Sequence, residues 1–476
     1  MKKETAGKNT GRKIGLALIS VIVILAVYLM LACLPYSGKL TVSDNTKATF
    51  SVENFYAQTI GHERVMMLND PENAFFYRID TIRKAKETIL FSTFLFYQGF
   101  DSDILVGALI DAAKRGVKVY VLIDKWSEIP NSYINCFIDT PNIHFYIFNP
   151  LNILNPRYIN VSLHDKCLIA DDTYFIIGGR NIADRYFMKG ADYFQSDLDV
   201  LIYNTDTDLH GSISQAQEYF RTLIDSALTK NYTTLSAKNA AQAESDAQSF
   251  LSCFQAYQES EAGDEEISYT DLTVPTNRIT LITNGLIDGT KKEPVVAYTL
   301  LNLAKNSETI TLQSPFVVLT NDSFSLLKDA VNGKNATLIT NSLSASNDRY
   351  SYSNYLINRE RYLGLGIHIY EDQNDNISFH YKCYLFDDRL SAIGSFNLDE
   401  RSIRVDTESI VVIDSPEFNS LIRRALQDNI NQSLLVNPET NTYEVSADLE
   451  PANTTWLKKI SYVIWGHIMG IVDFLL

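Results

Sequence analysis

A chain of 476 residues is long enough for two core-sized domains, or for two halves of one pseudo-symmetric domain. With 46% hydrophobic and 21% charged residues it is not a largely disordered chain. The net charge of −16 argues against a general nucleic-acid binder, which needs a basic stripe to neutralise phosphates, although a local basic pocket stays open. Five cysteines (Cys33, Cys136, Cys167, Cys253 and Cys383) are too few and too scattered for a disulfide framework or a CxxC zinc site.

The chain opens with a tail, residues 1–13, that carries Lys2, Lys3, Lys8, Arg12 and Lys13 against the single acid Glu4. Residues 14–34 hold no charge, and at helical rise they span about 30 Å, the thickness of a bilayer's hydrocarbon core. The positive-inside rule puts the tail in the cytoplasm and everything after residue 35 outside. A cleaved signal peptide is the competing reading, and Met30-Leu31-Ala32-Cys33 faintly resembles a lipoprotein cleavage box. The long apolar core favours an uncleaved single-pass anchor.

A first copy of an internal repeat is expected over residues 60–230 and a second over 276–435. Residues 85–94 read AKETILFSTF and residues 306–316 read NSETITLQSPF. Each Glu-Thr-Ile follows a helical stretch and opens a β-type run, and each run leads to an amphipathic helix and another strand. The alternation suggests βαβ units on a largely parallel sheet. Between the copies, residues 231–275 read as a linker or surface excursion, alanine- and glutamine-rich and then acidic. Residues 456–476 mix Trp456, Tyr462 and Trp465 with aliphatic residues behind Lys458 and Lys459. They fit a helix lying in a membrane interface, or equally one packed on the domain.

Each copy carries the same chemical motif. The first reads SLHDKCLIADDTYFIIGGRNIADRYF, with His164, Lys166, Asp171 and Asn181; the second reads SFHYKCYLFDDRLSAIGSFNLDERS, with His380, Lys382, Asp387, Ser395 and Asn397. One His-x-Lys-x4-Asp match is weak, but two at equivalent places in a repeat, each with the same trailing turn, are not accidental. On a strand, His and Lys two residues apart share a face and present an imidazole and an ammonium together. Two such strands across a pseudo-twofold place two imidazoles on opposite sides of one phosphorus. One neutral histidine can then attack while a protonated one gives its proton to the departing oxygen. The lysines and the Asn side chains supply charge and donors, so neither a cofactor nor a metal is needed.

The six motif residues form the candidate catalytic set, with Asp171 and Asp387 expected to act through structural hydrogen bonds. Asp199 and Glu408, matched to each other in apolar strands, are the expected orienting partners of the imidazoles. Cys167 and Cys383 read as small buried strand residues, and Tyr350, Tyr352 and Tyr355 are candidates for a substrate mouth.

These residues resemble the phospholipase D superfamily over nearly all of residues 60–435. GGRNIADRYF, QSPFVV and IGSFNLDERS look most like bacterial cardiolipin synthases and related phosphatidyltransferases. The resemblance implies an α/β fold of two pseudo-symmetric lobes, each a mixed sheet flanked by helices, with one site between them. It also implies a bacterial membrane setting and phospholipid substrates, phosphatidylglycerol first, while the acidic balance and the anchor count against a nucleic-acid partner. A phosphohistidine on His164 is implied, with His380 as acid and then base. Gly179 stands where the family's first turn usually has Ser, and one anchor precedes the catalytic region instead of two. A hydrolase or nuclease using the same site is the alternative.

Overall fold

The computed structural model describes residues 2–188, 194–260, 267–285, 293–346, 348–444, 448–470 and 472–476. The first lobe carries β1 (Glu63–Leu68), β2 (Thr88–Thr93), β3 (Lys118–Asp124), β4 (Ile143–Phe148), β5 (Cys167–Ala170), β6 (Tyr174–Gly178), β7 (Phe194–Ser196), β8 (Asp199–Asn204), β9 (Thr229–Tyr232) and β10 (Val274–Pro275). The second carries β11 (Arg278–Thr283), β12 (Thr309–Gln313), β13 (Val317–Val318), β14 (Asn335–Asn341), β15 (His368–Asp372), β16 (Ile377–Phe379), β17 (Cys383–Phe386), β18 (Leu390–Gly394), β19 (Leu398–Asp399), β20 (Ser409–Asp414) and β21 (Ser433–Leu435).

One sheet runs β10-β1-β8-β6-β5-β2-β3-β4-β9 and the other β11-β20-β18-β17-β12-β14-β15-β21, the same order with β10 added at one edge. The two lobes are therefore copies in topology as well as in sequence. Within each sheet only three adjacent strands, β2-β3-β4 and β12-β14-β15, run parallel. This corrects the largely parallel expectation. The motif strands β5 and β6 form a tight antiparallel hairpin, as do β17 and β18, and a parallel pair would need a long crossover instead.

The parallel strands are apolar on both faces because helices cover one face and the other lobe covers the other. Ile89, Val119 and Val121 pack beneath the helices Pro71–Lys84 and Phe100–Lys114. Leu312, Leu338 and Ile369 pack beneath Val295–Lys305 and Asn321–Val331. A third buried cluster joins Val200 and Phe175 of one sheet to Val411 and Ile393 of the other, with Phe220 and Phe418 from the helices Ser212–Ile224 and Pro416–Asn431. The lobes thus share a core.

The segment read as a linker is more than a connection. Its helix Ala237–Ser260 buries Ala243, Phe250, Leu251 and Phe254 in the first lobe's core. It crosses Phe100–Lys114 so closely that a Cβ on Gly107 would lie 2.1 Å from the Phe250 carbonyl oxygen. Glycine at mid-helix costs about 1 kcal/mol, and here it makes room for that crossing. The acidic residues 261–266 lie outside the described residues.

Among the described residues one helix is long and apolar enough to cross a membrane: Ile14–Cys33, part of the helix Lys2–Cys33.

Candidate active site

His164 and Lys166 sit on an extended lead-in that ends at β5, and His380 and Lys382 sit on the matching lead-in between β16 and β17. Each lead-in is held by the other lobe. Leu163 bridges Thr407, the Thr407 N–H donates to the Ser162 carbonyl at 2.9 Å, and the His164 N–H donates to the Thr407 hydroxyl at 3.1 Å. Symmetrically, β16 pairs with β7, and the His380 N–H donates to the Ser196 carbonyl at 2.7 Å. The histidines are therefore just outside the regular strands expected for them. Each lysine ammonium folds back to donate to its own histidine's carbonyl, which keeps Lys and His on one side of the chain.

The orienting carboxylates also cross between lobes. His164 Nδ1 lies 2.9 Å from Glu408 Oε1, and His380 Nδ1 lies 2.5 Å from Asp197 Oδ2. An ionised carboxylate only accepts, so Nδ1 of His164 carries the hydrogen and its Nε2 keeps the lone pair, while Nδ1 of His380 meets both the Asp197 carboxylate and, at 2.7 Å, Lys382 Nζ.

Asp199 does not serve as expected. Its carboxylate is buried against Arg78 at 2.8 Å and Arg180 at 2.8 Å, in a pair that ties helix Pro71–Lys84 to the sheet. The arginines hold the carboxyl at about 2, against burial that would raise it. Strand register gives the true correspondence. Gly178 opposes Asp199 and Gly394 opposes Ile410, so Asp197, two residues earlier, is the counterpart of Glu408.

Glu408 is held further by the Ser402 hydroxyl at 2.6 Å and by the Ser395 hydroxyl. In the first lobe Gly179 takes the serine's place, because a Cβ there would lie 2.3 Å from Asp197 Oδ1. The departure from Ser at this turn follows from the shorter acid.

All four motif bases are buried, His164 at 8% exposure and Lys382 at 0%. Burial, then Lys166, and further Lys382 and His380, hold the His164 imidazole well below its ordinary value, against Asp406. Burial and Lys382 lower His380 to about 4, against Asp197. Burial brings Lys166 down to about 8 and Lys382 to about 7, with Glu408 and Asp197 respectively opposing. Lys382 and His380 thus act on His164, and Lys166 on His380, so the charges of the two motifs lie within reach of one another. Both rings are neutral there near pH 7, and an entering anion would favour protonation of one of them and of both lysines.

Asp171 and Asp387 stand away from the imidazoles, in left-handed turns at φ 53° and 50°. Asp171 accepts from the N–H groups of Lys86, Glu87 and Thr88, and Asp387 from those of Glu308 and Thr309. These bonds join the motif's aspartate to the repeated Glu-Thr-Ile, so two separate sequence signals are one structural clamp. Asn181 donates to the Tyr186 hydroxyl at 3.0 Å and accepts from the Leu95 N–H at 3.1 Å. Asn397 Oδ1 is buried and accepts no hydrogen bond among the described residues. Cys167 and Cys383 are free buried thiols opening β5 and β17.

Tyr352 and Tyr355 do not line a mouth. They pack in the second lobe's core, where the Tyr355 hydroxyl donates to Glu371 at 2.7 Å, while Tyr350 packs edge-on against Trp465. Sequence reasoning missed Asp197, Ser402 and Asp165; the last accepts from the Thr407 and Tyr219 hydroxyls beside His164. It also missed the rings around the imidazoles, Phe94 at 5.2 Å from His164 and Tyr186 at 5.6 Å from His380.

Two duplicated lobes with one His-Lys pair each, facing across a shared junction, define a phospholipase D-like protein. The family model described as "Cardiolipin synthase, PLD-like domain" matches residues 78–224 and 298–429, and the chain belongs to that family. It is similar to an uncharacterized protein of Helicobacter pylori strain J99, 27% identical across 87% of this chain and 90% of that one. It is also similar to cardiolipin synthase C of Escherichia coli K12, 25% identical across 74% of this chain and 81% of that one. Among solved structures, phosphatidylserine synthase of Haemophilus influenzae shares the fold with a TM-score of 0.63 at 15% identity. That match covers 91% of this chain and 100% of the other.

Proposed function

We propose that the protein is a phosphatidyltransferase that joins phospholipids through a phosphohistidine, with phosphatidylglycerol as donor and acceptor and cardiolipin as product. The observation that supports it most is the pair of buried imidazoles, each held at Nδ1 by a carboxylate from the opposite lobe and flanked by two lysines. The names of the relatives supply the lipid: a cardiolipin synthase and a phosphatidylserine synthase.

In the proposed cycle, the lone pair on His164 Nε2 attacks phosphorus and the bond to the departing glycerol oxygen breaks. That oxygen takes its proton from His380 Nε2. The acceptor's hydroxyl then gives its proton to His380 and attacks phosphorus, and the P–N bond to His164 breaks. Lys166 and Lys382 neutralise the equatorial oxygens, so the charge otherwise supplied by a divalent ion comes from side chains. Low-pKa, neutral rings suit the nucleophile at once. The acid acquires its proton when the phosphate's charge raises His380 from about 4.

The test is the full chain in phosphatidylglycerol vesicles with excess chelator, with products identified by mass spectrometry. Cardiolipin and free glycerol are expected. Phosphatidic acid alone would mean a hydrolase, and loss of turnover in chelator would overturn the lysine-based mechanism. A phosphoryl adduct should be trapped on His164.

A further inference from the structure

Three apolar features meet at one corner of the molecule. The helix that holds Ile14–Cys33 ends there: the Asn160 amide donates to the Ala32 carbonyl at 3.0 Å, and the Tyr36 hydroxyl to the Arg157 carbonyl at 2.9 Å. Directly before Arg157, the loop after β4 leaves Leu151, Ile153 and Leu154 exposed at 56%, 65% and 89%. From the other side comes the last α-helix, Trp456–Met469, followed by Phe474 and Leu475, which pack against the buried cluster that includes Tyr36. The Arg401 N–H donates to the Leu476 carbonyl at 2.8 Å, and its guanidinium to the Asn160 carbonyl at 3.1 Å, closing the corner.

The last helix has two unlike faces. Tyr462 packs on Tyr352, and Trp465 on Tyr350 and Arg349, against the helix Arg349–Leu363. On the other side Trp456, Leu457, Ile460, Ile464 and Ile468 form a helical stripe, exposed by 47–68%. Lys458 and Lys459 lie in its first turn, and Lys125 and Lys230 line a 460 Å³ cavity beside Leu151, cationic neighbours in a chain of net charge −16.

We propose that the loop 150–155 and the outer stripe of Trp456–Met469 lie on the surface of the same bilayer leaflet from which Ile14–Cys33 emerges. This makes a three-point contact with the headgroup layer. What says that lipid, and not a protein partner, covers them is the spanning-length helix at the same corner: a membrane around that helix already occupies the space beside it. An indole, aliphatic side chains and lysines are the composition such a layer accepts. The corner is also next to the chemistry, since Asn160 is four residues before His164 and Arg401 pairs with Asp406, two residues before Glu408. The inference rests on the lipid reading above for that last consequence only.

The experiment uses the full chain in phosphatidylglycerol vesicles whose acyl chains are brominated near the headgroup. W126F/W465F leaves Trp456 as the single tryptophan, and L154W and L25W are placed separately in a chain without the other three. Trp456 and L154W fluorescence should fall by roughly half against unbrominated vesicles, because an interfacial segment buries its apolar face about 5–10 Å. The L25W chain is compared in vesicles brominated at mid-chain. Quenching of L25W without quenching of Trp456 and L154W would overturn the three-point contact and leave the anchor standing. No quenching of any of the three would overturn both. As a check that does not thin the packing on Arg349, I460D/I464D should lose about tenfold in turnover of vesicle lipid, by weakened interfacial binding, and keep turnover of a monomeric short-chain lipid. Equal loss on both substrates would also count against docking, and no turnover of either lipid by the unaltered chain would instead sink the enzymatic reading.

Discussion

In the half of the site that carries His164, the orienting acid is a glutamate that also receives the hydroxyls of Ser395 and Ser402. In the half that carries His380 it is an aspartate, set against Gly179, with Lys382 Nζ 2.7 Å from the imidazole it orients. One acid is a methylene longer and braced by neighbours; the other is shorter and shares its ring with a cation. Duplication thus kept the task of fixing an imidazole and changed the parts that perform it. The difference bears on roles. A braced, neutral ring suits a nucleophile that must form and break one bond along a fixed line. A ring whose Nδ1 meets both a carboxylate and a lysine nitrogen suits a group whose proton has to move.

The sharpest test of that contrast exchanges the histidines. His164→Ala should abolish turnover of every substrate. His380→Ala should lose about 10²–10⁴-fold, the usual worth of a general acid, and recover on a lipid with a nitrophenyl leaving group. Rescue of His164→Ala and not of His380→Ala, read by initial rates, would reverse the roles.

Next comes the pH profile. Asp197 raises the His380 pKa, so Asp197→Asn lowers it further. The limb of the profile that reports loss of the acid's proton should then move to lower pH, while the opposite limb stays. A shift to higher pH in kcat/KM would contradict the Asp197 assignment. The same substitution's rate loss should be smaller than that of Asp199→Asn, which strands two buried arginines and acts through folding, a cost of about 3–5 kcal/mol.

A smaller effect separates the two turns. Gly179→Ala forces a Cβ onto the Asp197 carboxylate and should cost about tenfold in rate, the order expected for sub-ångström misplacement of a catalytic group. Ser395→Ala removes one of several donors to Glu408 and should cost less. The smallest difference is in stability. Asp171→Ala loses three backbone N–H bonds and Asp387→Ala two, so urea unfolding should show losses of about 2–4 kcal/mol, greater for Asp171.

Much of this is legible in the sequence, for physical reasons. The two His-x-Lys-x4-Asp motifs and the repeated Glu-Thr-Ile are local, and local spacing survives in a sequence. That Asp171 clamps Lys86 to Thr88 was hidden because it joins residues more than 80 apart. Asp197 was hidden differently. Asp197 and Asp199 differ by two residues, which a period-2 pattern cannot rank, and only the partners choose between them: His380 from the other lobe for one, Arg78 and Arg180 for the other. The helix Ala237–Ser260 read as a linker because its few core residues, Ala243, Phe250, Leu251 and Phe254, are spread through a polar sequence. Its tight crossing at Gly107 depends on a partner nearly 150 residues away.

Each imidazole takes its carboxylate from the opposite lobe, and that has a consequence for how the chain is made. Synthesis reaches His164 long before it reaches Glu408, and it reaches Asp197 long before His380. A half-translated chain holds a histidine with nothing to fix its tautomer and no partner to pass it a proton. On the proposed mechanism, reactivity is therefore withheld until the last lobe closes on the first, and a chain broken off early carries only half a site.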